Sequence, residues 1–377
     1  MKKNLLFTPG PTPIPPEALL AMAQPIDYHR SNATAALIKD VLEKLKHVFQ
    51  TENDVLFLTS SGTGAMEGAV SNLLSRGEKA IVIRSGKFGE RWGEICATYG
   101  IEVIPIDVTW GNSVEPDIVA SALAEHTDVK AVFATLCETS TGVLHDIEAL
   151  ARLTRIRPTL LVVDAVSALG ADDLQMDNWG VDVVVSCSQK GLMTPPGLAF
   201  AAVNQRAWDA VERSDLPKYY LDFRKAYESG LEGSVPYTPA VTLLTALQQA
   251  LNRICAEGIQ HTIDRHNRLA LATRSAIKAL GLPLFAASPA NTLTSIRLPE
   301  GIDGKALINL MRDTYGITYA GGQSQLSGKI VRIAHLGWMN ENDVIVAISA
   351  FERGLVEIGH AIPLGAGVSA AQEIFTQ

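Results

Sequence analysis

Two apolar runs between residues 160 and 190 constrain the fold of this chain more than any other feature. The run LLVVD ends in Asp164, and the run VDVVVSCSQK ends in Lys190. Runs so rich in β-branched residues predict strands that are buried on both faces of a sheet. A carboxylate and an amine at the ends of such strands are unfavourable unless they have partners or a function. Asp164 and Lys190 are therefore candidate site residues.

The same unit, an apolar strand followed by an amphipathic helix, repeats through the first half of the chain. Strands are predicted at residues 53–59, 80–83, 101–108, 129–136 and 160–163. This alternation is typical of an α/β fold with a mostly parallel sheet that helices cover on both faces. A further apolar strand, at residues 197–203, is predicted to be antiparallel. In such sheets, ligands bind at the carboxyl ends of the strands.

The units become shorter after residue 281, which predicts a second, smaller α/β domain packed on the first. A chain of 377 residues is long enough for two cores. We place an N-terminal arm at residues 1–20, a large domain at 21–260 and a small domain at 261–377. The prolines of TPGPTPIPP predict that the arm is extended. It is either a solvated leader or a segment that enters a site.

Composition restricts the possible partners. The formal net charge of −8, without clusters of Lys or Arg, argues against nucleic acid and against anionic membranes. No apolar run approaches the roughly 20 residues of a membrane-spanning helix. The four scattered cysteines predict reduced thiols and a cytoplasmic protein, and the eight histidines include no HExxH motif. No metal site is predicted.

Small residues after the first predicted strand form a candidate anion-binding turn. Ser61, Gly62, Thr63 and Gly64 lie between this strand and a helix. Backbone N–H groups at such a place bind anions with the help of the helix dipole. The spacing matches neither GxGxxG nor GxxxxGK[ST]. A turn that binds no anion remains the alternative.

Three further positions have both a functional and a structural interpretation. Phe88 has glycines on both sides in SGKFGERW, and it either stacks on a flat ring or belongs to the core. Thr139, in ETSTG, either donates to a ring oxygen or phosphate or forms a local turn. Arg332, in IVRIA, either binds a substrate carboxylate through two parallel hydrogen bonds or forms an internal salt bridge.

The chemistry of Lys190 and Asp164 suggests a pyridoxal phosphate site. A desolvated lysine with a lowered pKa is what Schiff-base formation with an aldehyde cofactor requires. A carboxylate beside the pyridine nitrogen keeps that nitrogen protonated, so the ring withdraws electrons from the substrate. The alternatives are a surface lysine and an aspartate that caps the following helix.

These motifs, in this order, resemble those of a known family. The chain resembles the class V aminotransferases of the fold-type I pyridoxal phosphate enzymes, nearest to the alanine–glyoxylate, serine–glyoxylate and serine–pyruvate branch. The resemblance runs through TPGPTPIPP, LTSSGTGAME, SGKFGERW, ETSTGVL, VVDAVSALG, SCSQKGLMTPPG, YTPAV and YGITYAGGQSQLSGKIVRIAHLG. It implies a large domain with a mostly parallel seven-stranded sheet and a small C-terminal α/β domain.

The resemblance also implies roles for individual residues. Lys190 forms the Schiff base and moves a proton between the substrate Cα and the cofactor, while Asp164 pairs with the pyridine nitrogen and Phe88 stacks on the ring. The other implied cofactor contacts are Ser61, Gly62, Thr63, Gly64, Thr139, Gln189, Tyr237 and Thr238. Arg332 and Gly10 are implied to contact the substrate. Tyr237 and Thr238 resemble a pair that reaches the phosphate of a neighbouring subunit, which implies a homodimer with shared sites.

The predicted reaction moves an amino group from a small amino acid, alanine or serine, to a 2-oxo acid, glyoxylate or pyruvate. Donors of the 2-aminoethylphosphonate or ureidoglycine type are the alternative, and His29 and Arg30 are candidate cations for a phosphonate. A cysteine desulfurase-like lyase is less favoured, because residues 320–336 contain no cysteine. A non-catalytic protein of the same fold is a third hypothesis.

Overall fold

Thirteen strands and fourteen α-helices follow one another along residues 3–377, the part of the chain that the computed structural model describes. The strands are β1 (Leu5–Phe7), β2 (Asp54–Leu58), β3 (Lys79–Arg84), β4 (Glu102–Asp107), β5 (Ala131–Thr135), β6 (Cys137–Glu138), β7 (Val143–Leu144), β8 (Leu160–Asp164), β9 (Val183–Cys187), β10 (Ala199–Val203), β11 (Leu293–Arg297), β12 (Ile317–Gly321) and β13 (Ile330–Ala334). The helices are α1 (Pro16–Met22), α2 (Asn32–Phe49), α3 (Gly62–Leu73), α4 (Lys87–Thr98), α5 (Pro116–Glu125), α6 (Ile147–Thr154), α7 (Met176–Trp179), α8 (Gln205–Val211), α9 (Phe223–Leu231), α10 (Val241–Glu257), α11 (Ile259–Ala279), α12 (Gly304–Leu310), α13 (Glu341–Glu357) and α14 (Ala366–Phe375).

Seven of these strands form one sheet in the order β2-β10-β9-β8-β5-β3-β4. Its ladders are parallel except at β10, which runs antiparallel to both of its neighbours, β2 and β9. The predicted α/β fold with a mostly parallel seven-stranded sheet is therefore confirmed. The antiparallel direction predicted for the strand at residues 197–203 is confirmed as well.

Side chains along each central strand alternate between two apolar layers, one on each face of the sheet. In β8, Leu161 and Val163 pack into the layer that α2 and α10 cover, whereas Leu160 and Val162 pack into the layer that α3 and α4 cover. This alternation is the two-residue period of a strand. Because both faces are covered, a ligand reaches the central strands only at their ends.

A second sheet of four strands, in the order β1-β12-β13-β11, lies in the C-terminal part of the fold. Its apolar layer includes residues of α11, α13 and α14. β1 comes from the N-terminal residues and pairs in parallel with β12, with Leu5 opposite Ile317. Neither β1 nor α14 was predicted from the sequence. The domain limits at residues 20 and 260 stay predictions.

The proline-rich segment crosses from the small sheet to the large domain. The chain bends at residues 8–11 and forms neither helix nor strand at residues 12–15, and α1 then begins at Pro16. Proline suits the first position of a helix, because the N–H group that it lacks has no partner there. Among the helices of residues 3–377, none is long and apolar enough to cross a membrane.

Candidate active site

Asp164 and Lys190 lie at the same edge of the central sheet, after two neighbouring parallel strands. Asp164 is the last residue of β8 and pairs with Val185 of β9. Lys190 follows three residues after β9 ends, in the turn that leads to β10. The carboxyl of Asp164 is buried, with 3% of the residue exposed. Asp164 does not cap a helix, because the next helix, α7, begins only at Met176.

Burial shifts the pKa values of both groups toward their neutral forms. It raises the pKa of Asp164 to about 7, although the Val166 N–H donates to Asp164 Oδ1 at 2.7 Å. It lowers the pKa of Lys190, which the charge of Asp164 partly opposes. A neutral amine is a nucleophile, and an ammonium group is not. A lowered pKa increases the fraction of the Lys190 amine that is in the neutral, nucleophilic form.

The N-terminal arm contacts the Lys190 segment at three points. Lys190 Nζ donates to the Pro9 carbonyl at 2.5 Å. Thr12 Oγ1 donates to the Lys190 carbonyl at 2.9 Å, and the Thr12 N–H donates to the Gln189 carbonyl at 3.3 Å. Of the two alternatives for the arm, the structure therefore shows the one in which the arm enters the site.

Gly10 makes the close approach of the arm to Lys190 possible. A Cβ atom on Gly10 would lie 2.4 Å from both Cε and Nζ of Lys190. Its φ of +139° is also a conformation that residues with a side chain rarely adopt. Only glycine fits this position while Lys190 keeps its present rotamer.

Arg332 extends from β13 of the small sheet toward the ETSTG loop of the large domain. Its Nη1 donates to the Thr139 carbonyl at 2.7 Å, and its Nε and Nη2 donate to the Gly321 carbonyl at 2.9 and 2.7 Å. Burial lowers the pKa of Arg332 to about 10. Among residues 3–377, no carboxylate forms a salt bridge with this guanidinium. Of the two alternatives for Arg332, the internal salt bridge is thus not found among these residues, and a carboxylate ligand suits the remaining charge.

Thr139 and Gln189 bring polar groups to the same edge. Thr139 lies in the turn between β6 and β7, and its Oγ1 is 2.5 Å from Ser167 Oγ. Both hydroxyl groups are buried. Gln189 Oε1 is buried and has no hydrogen-bond partner within residues 3–377. A buried amide oxygen without a partner is unfavourable, which favours a ligand at this position.

Phe88 lies in the first turn of α4, and its ring is partly exposed. The guanidinium of Arg91, one turn later on the same helix, lies 4.9 Å from the centre of this ring. Arg91 Nη1 also donates to Thr63 Oγ1 at 3.1 Å. The Phe88 ring and the predicted anion-binding turn are therefore neighbours, and the guanidinium of Arg91 contacts both.

The turn from Ser61 to Gly64 opens α3, and Ser61 is its N-cap residue. Within the described residues, the side chain of Ser61 forms no capping hydrogen bond. A Cβ atom on Gly62 would lie 2.7 Å from Val166 Cγ2, and one on Gly64 would overlap Ser60 Oγ at 1.9 Å. Gly62 thus allows the helix to begin against the loop that follows Asp164, and Gly64 leaves space for the Ser60 side chain. Uncapped N–H groups at a helix start can bind an anion.

Tyr237 and Thr238 lie on the surface in a cluster of tyrosines. The Tyr237 hydroxyl donates to the Tyr219 carbonyl at 2.8 Å, and its ring stacks on that of Tyr220 at 5.0 Å. Thr238 is exposed. The structure brings Lys190, Asp164 and the residues around them together, and it leaves this pair on the outside of the single chain.

Comparison with known proteins identifies the family. The sequence matches the family described as "Aminotransferase class-V" over residues 5–340. The chain belongs to the class V aminotransferases. The resemblance seen in the sequence is therefore confirmed, and so is the prediction that the chain is an aminotransferase.

Two relatives and one solved structure match this aminotransferase over nearly its whole length. It is 43% identical to "Soluble hydrogenase, small subunit" of Synechococcus sp. (strain PCC 6716), and the alignment covers 99% of this chain and 99% of the relative. It is 38% identical to L-aspartate--glyoxylate aminotransferase of Paracoccus denitrificans, with 100% of this chain and 97% of the relative covered. A crystal structure of alanine--glyoxylate aminotransferase from Nostoc sp. superposes with a TM-score of 0.90 at 31% identity, covering 94% of this chain and 96% of the other.

Three residues that contact the predicted site residues of this aminotransferase were given no role from the sequence. Ser167 bonds to Thr139, Arg91 lies over Phe88, and Glu138 binds the backbone of Phe88. Arg91 could have been found from its spacing of three residues from Phe88, which places both on one helix face. Ser167 could have been considered as well, because it lies only three residues after Asp164. Glu138 is the first residue of the ETSTG motif, but the motif did not indicate its contact with the backbone of Phe88. Within residues 3–377, no group of three or more His, Cys, Asp or Glu side chains could hold a metal ion.

Proposed function

We propose that this aminotransferase uses pyridoxal phosphate to move an amino group from a small amino acid, alanine or serine, to glyoxylate or pyruvate. The observation that carries the proposal is the pair formed by the Lys190 amine and the Asp164 carboxyl, both shifted toward neutrality by burial at one sheet edge. Named relatives support the substrates. They include L-aspartate--glyoxylate and serine--glyoxylate aminotransferases, and a solved structure is an alanine--glyoxylate aminotransferase.

The residues at this edge fit pyridoxal phosphate. The unpartnered Gln189 Oε1 marks a buried polar position that a ligand would complete. Lys190 would bind the aldehyde carbon, Asp164 the protonated pyridine nitrogen, and the partly exposed Phe88 ring would lie against the cofactor ring. Thr139 and Gln189 would contact the polar substituents of the ring. The N–H groups and hydroxyls of the turn from Ser61 to Gly64 would bind the phosphate at the start of α3.

Bound pyridoxal phosphate supplies an aldehyde that condenses with amines and a ring that withdraws electrons from the substrate Cα. Lys190 then has two tasks, which are to bind the cofactor and, once its amine is released, to move a proton at the substrate Cα. Asp164 stabilises positive charge at the ring nitrogen. A cation beside this carboxyl would lower its pKa from the value of about 7 that it has without a ligand.

Arg332 is the proposed contact for the substrate carboxylate. We expect Arg332→Lys to raise KM for the amino donor about 10- to 100-fold, because lysine keeps the charge but loses the planar pair of donors. The effect on kcat should be smaller. Steady-state kinetics with alanine and serine measure both constants. An unchanged KM with a strongly reduced kcat would contradict this role.

Arg274→Lys is a matched control for that experiment. Arg274 is also largely buried, has a pKa lowered by burial, and donates to the backbone carbonyls of Pro289 and Ala290. It lies outside the candidate active site. Its replacement should lower thermal stability and leave KM for the donor unchanged.

Gly10 is proposed to leave space for the Lys190 side chain. Gly10→Ala is expected to weaken the binding of pyridoxal phosphate about 5- to 100-fold, because a new Cβ would displace Lys190 or the arm. Titration of cofactor-free protein with pyridoxal phosphate, followed by protein fluorescence, measures the affinity. The control is Gly301→Ala, because Gly301 has a φ of +87° and open space around its Cβ position. Equal affinity for both variants would refute the proposal.

We further propose a homodimer with shared sites and a cytoplasmic location. Tyr219, Tyr220 and Tyr237 form an exposed aromatic cluster, with 72% of Tyr219 and 48% of Tyr220 exposed. Aromatic residues are enriched at interfaces, and this cluster lies beside Thr238, which is implied to reach a neighbouring phosphate. The four free cysteines fit a reducing compartment.

The structure bears on two alternative hypotheses, a different amino donor and a cysteine desulfurase-like lyase. His29 and Arg30, candidate cations for a phosphonate, lie near the surface just before α2. A desulfurase needs a reactive thiolate, whereas burial raises the pKa of Cys187 to about 12 and that of Cys96 to about 12. Cys255 is partly exposed and lies within α10. Transamination is therefore the reaction that the site supports best.

A donor panel tests the proposed reaction. Alanine, serine, aspartate, 2-aminoethylphosphonate and ureidoglycine are each incubated with glyoxylate, pyruvate or 2-oxoglutarate, and the new amino acid is measured by mass spectrometry. We expect alanine or serine with glyoxylate or pyruvate to give the highest kcat/KM. A preference of more than about tenfold for 2-aminoethylphosphonate or ureidoglycine would overturn the proposed donor, since a single missing group in a pocket accounts for about that much discrimination.

A further inference from the structure

We propose that Glu138 is a positioning residue that fixes the Phe88 ring for cofactor binding. Phe88 is at the start of α4, fifty residues earlier in the chain, and its orientation depends on how that helix begins. The inference rests on the proposed function, because it assumes that pyridoxal phosphate binds against Phe88.

The carboxylate of Glu138 accepts four hydrogen bonds. The backbone N–H groups of Phe88 and Gly89 both donate to Oε2 at 3.0 Å. The N–H and the hydroxyl of Ser140 donate to Oε1 at 3.1 and 2.5 Å. Glu138 is fully buried, at 0% exposure. Burial raises its pKa, while the four donors favour its charged form.

These contacts replace the usual cap of α4. The N-cap residue is Gly86, which has no side chain with which to cap the helix. Three N–H groups of the first turn instead have partners in the ETSTG loop, since the Lys87 N–H donates to Ser140 Oγ at 3.0 Å. A negative charge at a helix N-terminus is also favourable for the helix dipole. Glu138 and Ser140 thus fix the first turn, and with it the Phe88 backbone.

The glycine before this turn is required for the same contact. A Cβ atom on Gly86 would lie 2.5 Å from Glu138 Cδ and 2.4 Å from Ser140 Oγ. The glycine in front of Phe88 therefore permits close approach of the ETSTG loop.

Glu138 also lies next to two other predicted contacts. The residue after it, Thr139, accepts the Arg332 hydrogen bond through its carbonyl and contacts Ser167 through its hydroxyl. A carboxylate that fixes this loop therefore aligns Phe88 from one side and the Thr139 backbone from the other. Glu138 acts only through these neighbours, so its effect should appear in ligand affinity and geometry.

Glu138→Gln is the test, because it keeps the shape and replaces one accepting oxygen with an NH₂ group. Two of the four donors would then face another donor. We expect the affinity of cofactor-free protein for pyridoxal phosphate to fall about 10- to 100-fold. The near-ultraviolet circular dichroism of the bound cofactor should also change, because the ring against which it lies has moved.

Glu352→Gln is the matched control. Glu352 is also a buried carboxylate that caps a helix, and it accepts from the N–H groups of Gly365, Gly367 and Val368 at 2.7, 2.8 and 3.2 Å. This helix is α14 of the small domain. Both variants should lose thermal stability, and only Glu138→Gln should lose affinity for pyridoxal phosphate. Equal losses of affinity in both would overturn the inference.

A double-mutant cycle with Phe88→Leu decides whether Glu138 acts through Phe88. If it does, Glu138→Gln should cost less than about threefold in affinity once Phe88 has been replaced, because interacting residues are not additive. If the losses of affinity caused by Glu138→Gln and by Phe88→Leu simply add in the double variant, the inference is overturned. If Glu138→Gln does not fold, Ser140→Ala removes a weaker part of the same contact, and an unchanged affinity in that variant would overturn the inference.

The same titrations separate this inference from the proposed function. If wild-type protein does not bind pyridoxal phosphate, the proposed function fails. If wild-type protein binds it and Glu138→Gln binds it equally well, only the positioning role of Glu138 fails.

Discussion

Lys190→Ala is expected to reduce turnover by about 10⁴-fold or more, because one side chain is proposed both to bind the cofactor and to move the substrate proton. The amine of Lys190 is at the carboxyl edge of the sheet, with a pKa lowered by burial and a hydrogen bond to the Pro9 carbonyl. No other residue at that edge is proposed to supply an amine. The measurement is the rate of amino-acid formation in excess pyridoxal phosphate.

Lys218→Ala is the control for this variant. Lys218 is also partly buried, has a pKa lowered by burial, and donates to the Ser71 carbonyl and to Ser214 Oγ. Its loss should lower thermal stability while turnover stays within about threefold of wild type, as expected for a residue outside the site. Turnover by Lys190→Ala within tenfold of wild type would exclude the proposed role.

Asp164→Asn is expected to reduce kcat about 10²- to 10³-fold, because an amide gives less stabilisation to a protonated ring nitrogen than a carboxylate does. Affinity for pyridoxal phosphate should fall as well. Steady-state kinetics and cofactor titration measure the two effects. A variant with normal kcat would show that the carboxylate does not act on the reaction.

The raised pKa of the Asp164 carboxyl should make the stability of the cofactor-free protein depend on pH. Burial raises the pKa of Asp164 to about 7 from its ordinary value of 3.8. The folded protein therefore binds more protons than the unfolded chain between these values, so stability is greatest below the lower value and is lost as pH rises through the higher one. The contribution of Asp164 to the melting temperature of cofactor-free protein, measured as the difference between wild type and Asp164→Asn, should therefore decrease from roughly pH 5 to pH 8.

Asp172 provides the matched comparison. Burial raises its pKa to about 7 as well, and its Oδ1 accepts from the Asn291 N–H at 2.9 Å. Asp172→Asn should remove another part of the pH dependence and leave kcat unchanged, since Asp172 is not proposed to contact the cofactor. Loss of activity in both variants would indicate that the buried carboxyls act on the fold and not on the chemistry.

The central sheet could be predicted from the sequence because its strands have a local signature. Apolar β-branched runs such as Leu160–Asp164 are buried on both faces, and the polar residue that ends each run is set at the edge where ligands bind. Asp164 and Lys190 were identified for this reason, and Arg332 was identified because a guanidinium inside the apolar run IVRIA needs an anionic partner. Each of these polar residues lies in or directly after an apolar run, and a single sequence is enough to show such a pattern.

Other elements depend on contacts between distant parts of the chain. The three residues of β1 are too few to show a period, and they become a strand only beside β12. The helix α14 is rich in small residues and is stabilised by the distant carboxylate of Glu352. Glu138 of the ETSTG motif accepts from the backbone N–H of Phe88, fifty residues earlier, and the motif itself does not show this contact. These features have no local pattern, so periodicity and motif spacing do not reveal them.

The most direct test of the central claim is one half-reaction, observed by absorbance with purified protein saturated with pyridoxal phosphate. Alanine or serine, added without an acceptor, should remove the near-ultraviolet to visible band of the bound cofactor and release one equivalent of 2-oxo acid per site. Glyoxylate should then restore the band and yield glycine. Lys190→Ala should not complete this cycle. If wild-type protein shows no band, or if no donor in the panel removes it, the proposed function is contradicted.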